Sequence, residues 1–198
     1  MNVLIAQIIF FLATSEYQGQ ENSELYERIK NGDKKAFRSF FDKHHKELYY
    51  FLLKKNVSST EADDLIQQAF VYIWENRSGI DETKSLRAYL FRIAYTRMLN
   101  AFRDSKKFDG NAEIPQETYS SDPEKKIENK ELKSAIDQAI ASMPEKRQNV
   151  FRLCFIQEFT YKEAAEFLDV SHKTIENHMG LALKDLRKAL SEVSKDFL

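Results

Sequence analysis

The chain has 198 residues, of which 42% are hydrophobic, enough to bury a core in one domain or two small ones. Its formal net charge of −1 excludes a uniformly basic nucleic-acid-binding coat. The one cysteine, Cys154, excludes an intrachain disulfide and a cysteine-rich zinc site, and it favours a reducing cytoplasm. Glycine and proline are scarce, with 5 and 3 residues, so the long charged amphipathic stretches predict an all-α fold.

The first 21 residues differ from the rest of the chain. Residues 1–13 are almost wholly apolar and uncharged. They are fewer than the roughly 20 residues that a membrane-spanning helix needs, and they lack the basic start of a signal peptide. We therefore expect 1–21 to be an apolar or disordered extension that does not span a membrane. A docked segment, a start codon placed too early and, least favoured, a membrane anchor stay open.

Residues 22–107 form the first predicted domain, which contains four helices. Asn31 and Gly32 end the opening helix, because glycine readily adopts the left-handed conformation at helix ends. The second helix has an apolar stripe at helical spacing. Ser58 and Glu61 form a capping box that begins the third helix. A loop at 76–83 precedes a long helix at about 84–107.

An acidic connector at 108–122 is expected to be flexible, since it holds Gly110 and Pro115 among polar residues. Asp122 and Pro123 then begin the second domain, 123–198. Residues 77–107 hold eight Lys or Arg against three Asp or Glu, whereas residues 109–131 hold seven acids against three bases. A basic surface beside an acidic connector is compatible with local DNA contact, although ordinary solvated helix faces give the same pattern.

Residues 160–190 have the pattern of a helix-turn-helix that reads double-stranded DNA. Thr160 and Glu163 form a capping box for its first helix, and Ser171 can cap the second. Asp169 occupies the turn position that often holds Gly, and it tolerates the left-handed conformation better than most residues. The expected small and apolar contacts between the helices are Ala164, Ala165, Leu168, Val170 and Ile175.

The second helix of this motif is expected to lie in the major groove. Its predicted DNA-binding residues are Ser171, His172, Lys173, Thr174, Glu176, Asn177, His178 and Lys184. An ordinary helical hairpin is the alternative. His172 and His178 would suit a metal ion, but no third ligand is evident, so we expect no metal and no other cofactor.

A helical wheel divides residues 89–107 into two faces. The apolar face holds Leu90, Ile93, Ala94 and Ala101, together with Arg97, whose place there is unexplained. The opposite face holds Tyr89, Arg92, Thr96, Asn100, Arg103 and Lys107. Cations beside an aromatic ring suit a phosphate backbone with unstacked bases, although a solvated amphipathic helix is the plainer interpretation.

Three stretches resemble the extracytoplasmic-function sigma factors of bacterial RNA polymerase, and the resemblance covers residues 25–190. They are ADDLIQQAFVYIW (62–74), LRAYLFRIA (86–94), and MPEKR (143–147) followed by TYKEAAEFL (160–168) and KTIENH (173–178). The resemblance implies that 22–107 is sigma region 2. This region would bind the polymerase clamp through Asp64 and Gln67, and it would also bind the −10 promoter element. It implies that 123–198 is region 4, which reads the −35 element.

The resemblance also implies the function and the partners. The protein would bring core RNA polymerase to double-stranded promoters and help to melt them. The loop at 76–85 would accommodate a flipped base of the melted non-template strand. Tyr89, Thr96 and Asn100 replace a common Trp, Asn and Asp of the family, which leaves the −10 preference open. An anti-sigma factor, often membrane-anchored in this family, would hold the protein inactive.

Other functions remain open at this point. A conventional regulator would bind duplex DNA through the same motif without polymerase, and a helical interaction module would need no DNA. An enzyme is least favoured, because the sequence has no Gly-rich phosphate loop, no metal-binding pattern and no supported catalytic triad. Cys154 lies in an apolar run that is typical of a core.

Overall fold

The computed structural model describes residues 21–109 and 130–193, with side chains described for 23–104 and 136–189. The chain divides into two compact units, which are described one at a time. Within the described ranges every regular element is helical, so the predicted all-α fold is confirmed. The predicted extension, the acidic connector and the helix start at Asp122 and Pro123 lie wholly or almost wholly outside these ranges.

The N-terminal unit contains α1 (Glu21–Lys30), α2 (Lys34–Leu53), α3 (Ser59–Glu75) and α4 (Leu86–Asp109), with a 3-10 turn at Arg77–Gly79. Helix α2 packs against α1, α3 and α4, and α3 also packs against α4. The ring of Phe40 lies edge-on to Tyr26 and Phe70, with centroid distances of 6.3 and 5.9 Å. Burying a side chain such as Phe40 contributes about 1.5–3 kcal/mol, so this cluster fixes the arrangement of α1, α2 and α3.

Local signals set the ends of these helices. Gly32 follows α1 with a φ of 84°, as the sequence predicts. Ser58 and Glu61 form the predicted capping box at the start of α3. Helix α4 begins slightly later than the expected residue 84, because the Ser85 hydroxyl accepts a hydrogen bond from the backbone N–H of Ala88 at 3.1 Å.

The C-terminal unit contains α5 (Lys130–Ala141), α6 (Glu145–Phe151), α7 (Tyr161–Leu168) and α8 (His172–Val193). A single turn of π-helix, Arg152–Ile156, continues α6. Helix α8 packs against α5, α6 and α7 and is therefore the central element of the unit. Cys154 lies in this π-helical turn and is buried. Burial raises the pKa of its thiol to about 12, so the thiol stays protonated at neutral pH.

Candidate nucleic-acid interface

Helices α7 and α8 form the helix-turn-helix that the sequence predicts. The backbone N–H of Glu163 donates to Thr160 Oγ1 at 3.1 Å, and Glu163 Oε2 accepts from the backbone N–H of Thr160 at 2.9 Å. The small side chains of Ala164 and Ala165 are buried, and Ile175 on α8 is fully buried. The capping box therefore sets the start of α7, and small side chains allow the two helices to approach closely.

The turn between the helices depends on Asp169. This residue has φ 57° and ψ 47°, the left-handed conformation expected at this position. The backbone N–H of the next residue, Val170, donates to the carbonyl of Ala165 at 3.1 Å and closes the end of α7. The expected packing of Val170 between the helices is wrong, because the turn directs its side chain outward and leaves it 41% exposed. Leu168 is half-buried and Ile175 carries the contact on α8.

Ser171 caps the start of α8. Its hydroxyl accepts a hydrogen bond from the backbone N–H of Thr174 at 3.1 Å, and the two hydroxyl groups lie 2.8 Å apart. Both side chains are therefore engaged at the helix end before any DNA is bound. The positive end of the helix dipole points out of this terminus, where it favours a phosphate group.

The first turns of α8 present fewer unengaged charges than the sequence predicts. Glu176 Oε2 accepts from Lys173 Nζ at 2.8 Å, and Glu176 Oε1 lies 3.4 Å from His172 Nδ1. The hydrogen bond from Lys173 is the main cause that lowers the pKa of Glu176, so the carboxylate stays charged. Lys173 and His172 are therefore both engaged by Glu176 in this structure.

The predicted −35 residues differ in exposure. Exposed side chains are Ser171, His172, Lys173, Asn177 and Lys184. Thr174, Glu176 and His178 are only half-exposed. His178 Nδ1 is buried with no hydrogen-bond partner in the described part of the chain, so only the other edge of its ring can meet DNA.

Helix α4 separates a buried face from a basic, aromatic face. Leu90 and Ala94 are buried and Ile93 is half-buried, as expected. The expected burial of Ala101 is wrong, because the helix is exposed beyond Met98 on this side. The opposite face exposes Tyr89, Arg92, Thr96, Asn100 and Arg103, with the guanidinium of Arg103 hydrogen-bonded to Asn100. The side chain of Lys107, the sixth predicted residue, lies outside the described side chains.

Arg97 crosses from α4 to α3, which explains its place among apolar residues. Its Nη1 donates to Gln68 Oε1 at 3.0 Å. Its guanidinium carbon lies 5.5 Å from the centre of the Tyr72 ring, a cation–π distance. The side chain therefore covers part of α3 rather than entering the core.

The loop before α4 is held at both ends. Arg77 Nη1 donates to the carbonyl of Trp74 at 2.7 Å, and its guanidinium lies 4.5 Å from the centre of the Trp74 ring. Lys30 Nζ on α1 donates to Glu82 Oε1 at 2.6 Å. Ile80 is buried between these two contacts. The loop is therefore anchored to both α1 and α3 while the residues around Ser78 are exposed.

Asp64 and Gln67 are both exposed on α3, off its buried face. Gln67 borders an apolar groove of about 420 Å³ between α2 and α3. The groove is lined mainly by Phe37, Phe41, Ile66, Phe70, Val71 and Trp74. The centroids of the Trp74 and Phe37 rings lie 4.9 Å apart, so these two lining residues contact each other. The polar Gln67 beside an apolar surface is suited to a protein partner, whereas Asp64 lies outside the lining of the groove.

Two known family patterns match the chain. The pattern for sigma-70 region 2 matches residues 40–108, and the pattern for sigma-70, region 4 matches residues 133–186. Together they cover more than half of the chain. The first match contains α3 and α4 up to residue 108, and the second contains the helix-turn-helix.

Similar proteins are sigma factors. The ECF RNA polymerase sigma factor SigW of Bacillus subtilis (strain 168) is 26% identical over 177 residues, covering 84% of this chain and 95% of SigW. The ferric citrate uptake sigma factor FecI of Escherichia coli (strain K12) is 24% identical over 152 residues, covering 75% of this chain and 87% of FecI.

Solved structures share the fold. CnrH, in complex with the cytosolic domain of CnrY, has a TM-score of 0.55 at 21% identity, covering 86% of this chain and 97% of CnrH. The sigma factor RpoE of Bartonella quintana, in complex with the anti-sigma factor NepR, has a TM-score of 0.54 at 20% identity, covering 79% of this chain and 98% of RpoE.

The chain belongs to the sigma-70 family of RNA polymerase sigma factors, in its extracytoplasmic-function group. Region 2 of these transcription initiation factors binds the −10 promoter element and region 4 binds the −35 element. None of the helices in the described part of the chain is long and apolar enough to cross a bilayer. The described side chains form no group of three His, Cys, Asp or Glu residues able to hold a metal ion.

Sequence reasoning missed Tyr72. It lies on α3, outside the helix that was expected to contact DNA, yet it is exposed and contacts Arg97 of α4. The signal that could have found it is the helical spacing of Gln68 and Tyr72, which places both on the face that Arg97 meets.

Proposed function

We propose that this sigma factor brings core RNA polymerase to promoters through two DNA-binding surfaces and one polymerase-binding surface, with the residue assignments that follow. The observation that carries the proposal is the exposed row of Tyr89, Arg92, Thr96, Asn100 and Arg103 on the face of α4 opposite its buried side. A helix-turn-helix alone accounts only for duplex binding. A second surface that joins cations to an aromatic ring suits a melted strand.

The −10 surface comprises Tyr89, Arg92, Thr96, Asn100, Arg103 and Lys107. Taking a base out of the duplex costs a few kcal/mol. Stacking of a base on an aromatic ring returns about 1–3 kcal/mol, and Arg92 and Arg103 neutralise phosphate groups. The exposed loop around Ser78 would receive the flipped base of the non-template strand. Tyr89 would therefore stabilise the open promoter more than the closed one.

The −35 surface comprises Ser171, His172, Lys173, Thr174, Glu176, Asn177, His178 and Lys184. Asn177 is exposed and bears an amide that can pair with adenine, whereas Lys173 and Lys184 suit phosphate groups. Ser171 and Thr174 are engaged in capping α8 and act mainly by fixing the helix end. Sequence reading therefore rests chiefly on His172, Asn177 and the exposed edge of His178.

The polymerase-binding surface centres on Asp64 and Gln67. Both are exposed, and Gln67 borders the apolar groove that Trp74 helps to line. Polar groups at the border of an apolar surface set the register of a protein interface, and the apolar area supplies affinity. The chain has no catalytic role in this proposal, because polymerase performs the chemistry.

The domain limits are part of the proposal: an extension at 1–21, region 2 at 22–107, a linker at 108–122 and region 4 at 123–198. The family matches at 40–108 and 133–186 fall within or at the edge of these regions. Because polymerase and promoters are cytoplasmic in bacteria, we expect the protein to act there, without spanning the membrane itself. We also expect an anti-sigma partner, since CnrH was solved with the cytosolic domain of CnrY and RpoE with NepR.

Run-off transcription tests the function. Purified core RNA polymerase and the full chain are supplied with a panel of genomic promoter fragments, and we expect transcripts from a subset of them. Asp64→Ala and Gln67→Ala should each weaken core binding by about tenfold, which corresponds to about 1.4 kcal/mol at an interface hot spot. Asp42→Ala, which removes an exposed carboxylate of α2, is the matched control and should leave core binding unchanged.

The same assay separates a conventional regulator from a sigma factor. A regulator would bind an operator without polymerase, would give no core-dependent transcripts, and would be indifferent to Asp64→Ala. Core binding with no transcript from any promoter would also contradict the proposal.

A further inference from the structure

A tyrosine at the start of α7 lies against the first histidine of α8. The ring centroids of Tyr161 and His172 are 5.9 Å apart, and the two rings are tilted by 57°. Aromatic rings attract one another at centroid distances of about 4.5–7 Å, and tilted or edge-on pairs are preferred to a face-to-face stack. The contact therefore joins the two helices of the helix-turn-helix through a residue that is proposed to read the −35 element.

His172 is also held by its own helix. Its Nδ1 lies 3.4 Å from Glu176 Oε1, four residues further along α8 and therefore on the same face. The His172 side chain nevertheless remains 55% exposed, so it is open to DNA. Because Nδ1 is directed at Glu176, Nε2 is the ring nitrogen left to meet a base or a phosphate group.

The capping box of α7 sets the place of Tyr161. Tyr161 is the first residue of the helix, directly after Thr160, whose hydrogen bonds with Glu163 fix the helix start. The Tyr161 side chain is half-buried, and burial raises its pKa to about 12, so the hydroxyl keeps its proton and does not repel phosphate groups. A ring held in this way restricts the rotamers of an exposed side chain that packs against it.

The orientation of His172 matters for reading a base. A hydrogen bond weakens steeply when donor and acceptor are poorly aligned, so a ring nitrogen can distinguish base edges only from a defined direction. A side chain that is already oriented also loses less conformational freedom when it binds. Contacts with Tyr161 on one helix and Glu176 on the other provide that orientation before DNA is bound.

We infer that Tyr161 is a positioning residue that orients the His172 ring toward the −35 element and thereby contributes to the choice of base pair. The inference rests on the proposed role of His172 in reading that element. It assigns a part in sequence selection to a residue of α7, whereas the proposed −35 surface lies on α8 and the turn before it. This role does not require Tyr161 to touch DNA.

The test uses holoenzyme assembled from the full chain and core polymerase. Its binding is measured on the strongest promoter found by run-off transcription and on variants in which each −35 base pair is changed in turn. The ratio of the two binding constants gives the base preference at each position. Tyr161→Ala should lower this preference by about two- to tenfold, the range that one aromatic pair contributes, at the base pair that His172→Ala affects. Tyr161→Phe keeps the ring and should retain the preference.

Base preference separates positioning from a general loss of structure. Arg147→Ala is the matched control, because it removes an ion pair with Asp185 in the same unit and leaves Tyr161 and His172 unchanged. It should alter the affinity for all promoter variants equally and leave the base preference as it is. An equal loss of affinity on every promoter variant with Tyr161→Ala would overturn the inference. A loss with Tyr161→Phe would overturn it too, since the hydroxyl would then be the group that acts.

Combining the two alanine substitutions tests the coupling directly. Because Tyr161 acts through His172, the double variant should have the same base preference as His172→Ala alone. A further loss of preference in the double variant would overturn the inference. If His172→Ala leaves the preference at every base pair unchanged, the proposed role of His172 is wrong and the inference falls with it. If His172→Ala lowers the preference and Tyr161→Ala does not, only the positioning role is wrong.

Discussion

Arg147 on α6 forms an ion pair with Asp185 on α8, joining two helices through residues 38 positions apart. The arginine side chain is 19% exposed and the aspartate side chain is 38% exposed. Arg147 Nε is buried with no hydrogen-bond partner in the described part of the chain, so the guanidinium depends on this pair. The contact connects the helix that carries the proposed −35 surface to the helix that supports it.

Arg147→Ala should therefore destabilise the C-terminal unit. Water screens part of the attraction at Asp185, so we expect a loss of about 1–2 kcal/mol in the free energy of unfolding. Urea denaturation followed by far-ultraviolet circular dichroism measures it. Arg187→Ala, which removes an exposed arginine of α8, is the control. An equally small change in the free energy of unfolding for both variants would show that the ion pair does not hold the helices together.

Two substitutions of Asp169, by glycine and by valine, should change the stability of the protein in opposite directions. Its φ of 57° is costly for residues with a branched Cβ and costs glycine nothing. We expect Asp169→Gly to raise the free energy of unfolding by up to about 1 kcal/mol. We expect Asp169→Val to lower it by about 1–2 kcal/mol. Thermal unfolding of the two variants tests this, and a destabilised glycine variant would mean that the aspartate side chain matters more than its backbone conformation.

Glu176→Gln should strengthen binding of the −35 element by the holoenzyme at low salt. The substitution removes a charge that now engages Lys173 and His172 and that repels phosphate groups. With Lys173 released to a phosphate, the slope of log binding constant against log salt should become steeper by about one. Titration of a −35 duplex at several salt concentrations measures the slope. Glu145→Gln on α6 is the control, and an unchanged slope for Glu176→Gln would exclude the exchange.

The N-terminal unit should lose stability in acid partly through Glu47. Arg87 Nε donates to both Glu47 oxygens, at 3.1 and 3.2 Å, and His44 Nδ1 lies 3.3 Å from one of them. Burial alone would raise the pKa of Glu47, but hydrogen bonds from His44 and Arg87 outweigh it and lower the pKa below 4.5. The stabilisation is therefore present above about pH 4.5 and is lost as pH falls through the lowered pKa.

Glu47→Gln tests this contribution. We expect a loss of about 1–2 kcal/mol at neutral pH, allowing for the partly exposed carboxylate, and a weaker dependence of stability on pH in acid. Trp74, the one tryptophan of the chain, lies in this unit and reports its unfolding by fluorescence. Glu24→Gln on α1 is the control. Equal acid sensitivity with and without the Glu47 carboxylate would contradict the prediction.

Features of the fold that depend on local chemistry were predictable from the sequence. Gly32, the two capping boxes and the left-handed Asp169 each satisfy backbone groups within a few residues, so the residue types alone predict them. The face of α4 that carries Tyr89 and Arg92 was predictable as well, because helical periodicity fixes which residues lie opposite Leu90.

Features of the fold that depend on contacts between helices were not predictable from the sequence. Arg97 falls among apolar residues on a helical wheel, and only the position of Gln68 and Tyr72 on α3 explains it. The exposure of Val170 depends on the direction in which the turn releases the chain, which periodicity does not determine. Ala101 fits the apolar pattern, yet no neighbouring element covers that end of α4 in the described part of the chain.

The π-helical turn at Arg152–Ile156 has a consequence for how the protein tolerates changes in length. A π turn holds one residue more than an α turn, so the C-terminal unit carries a locally absorbed insertion between α6 and the helix-turn-helix. Loss of one residue there should restore α-helical spacing at the end of α6 without changing the helical phase within α7 or α8, because the π turn ends at Ile156 and a non-helical stretch follows it. Loss of one residue inside α8 would instead rotate every later side chain by about 100° and turn Lys184 away from the face it now shares with Asn177.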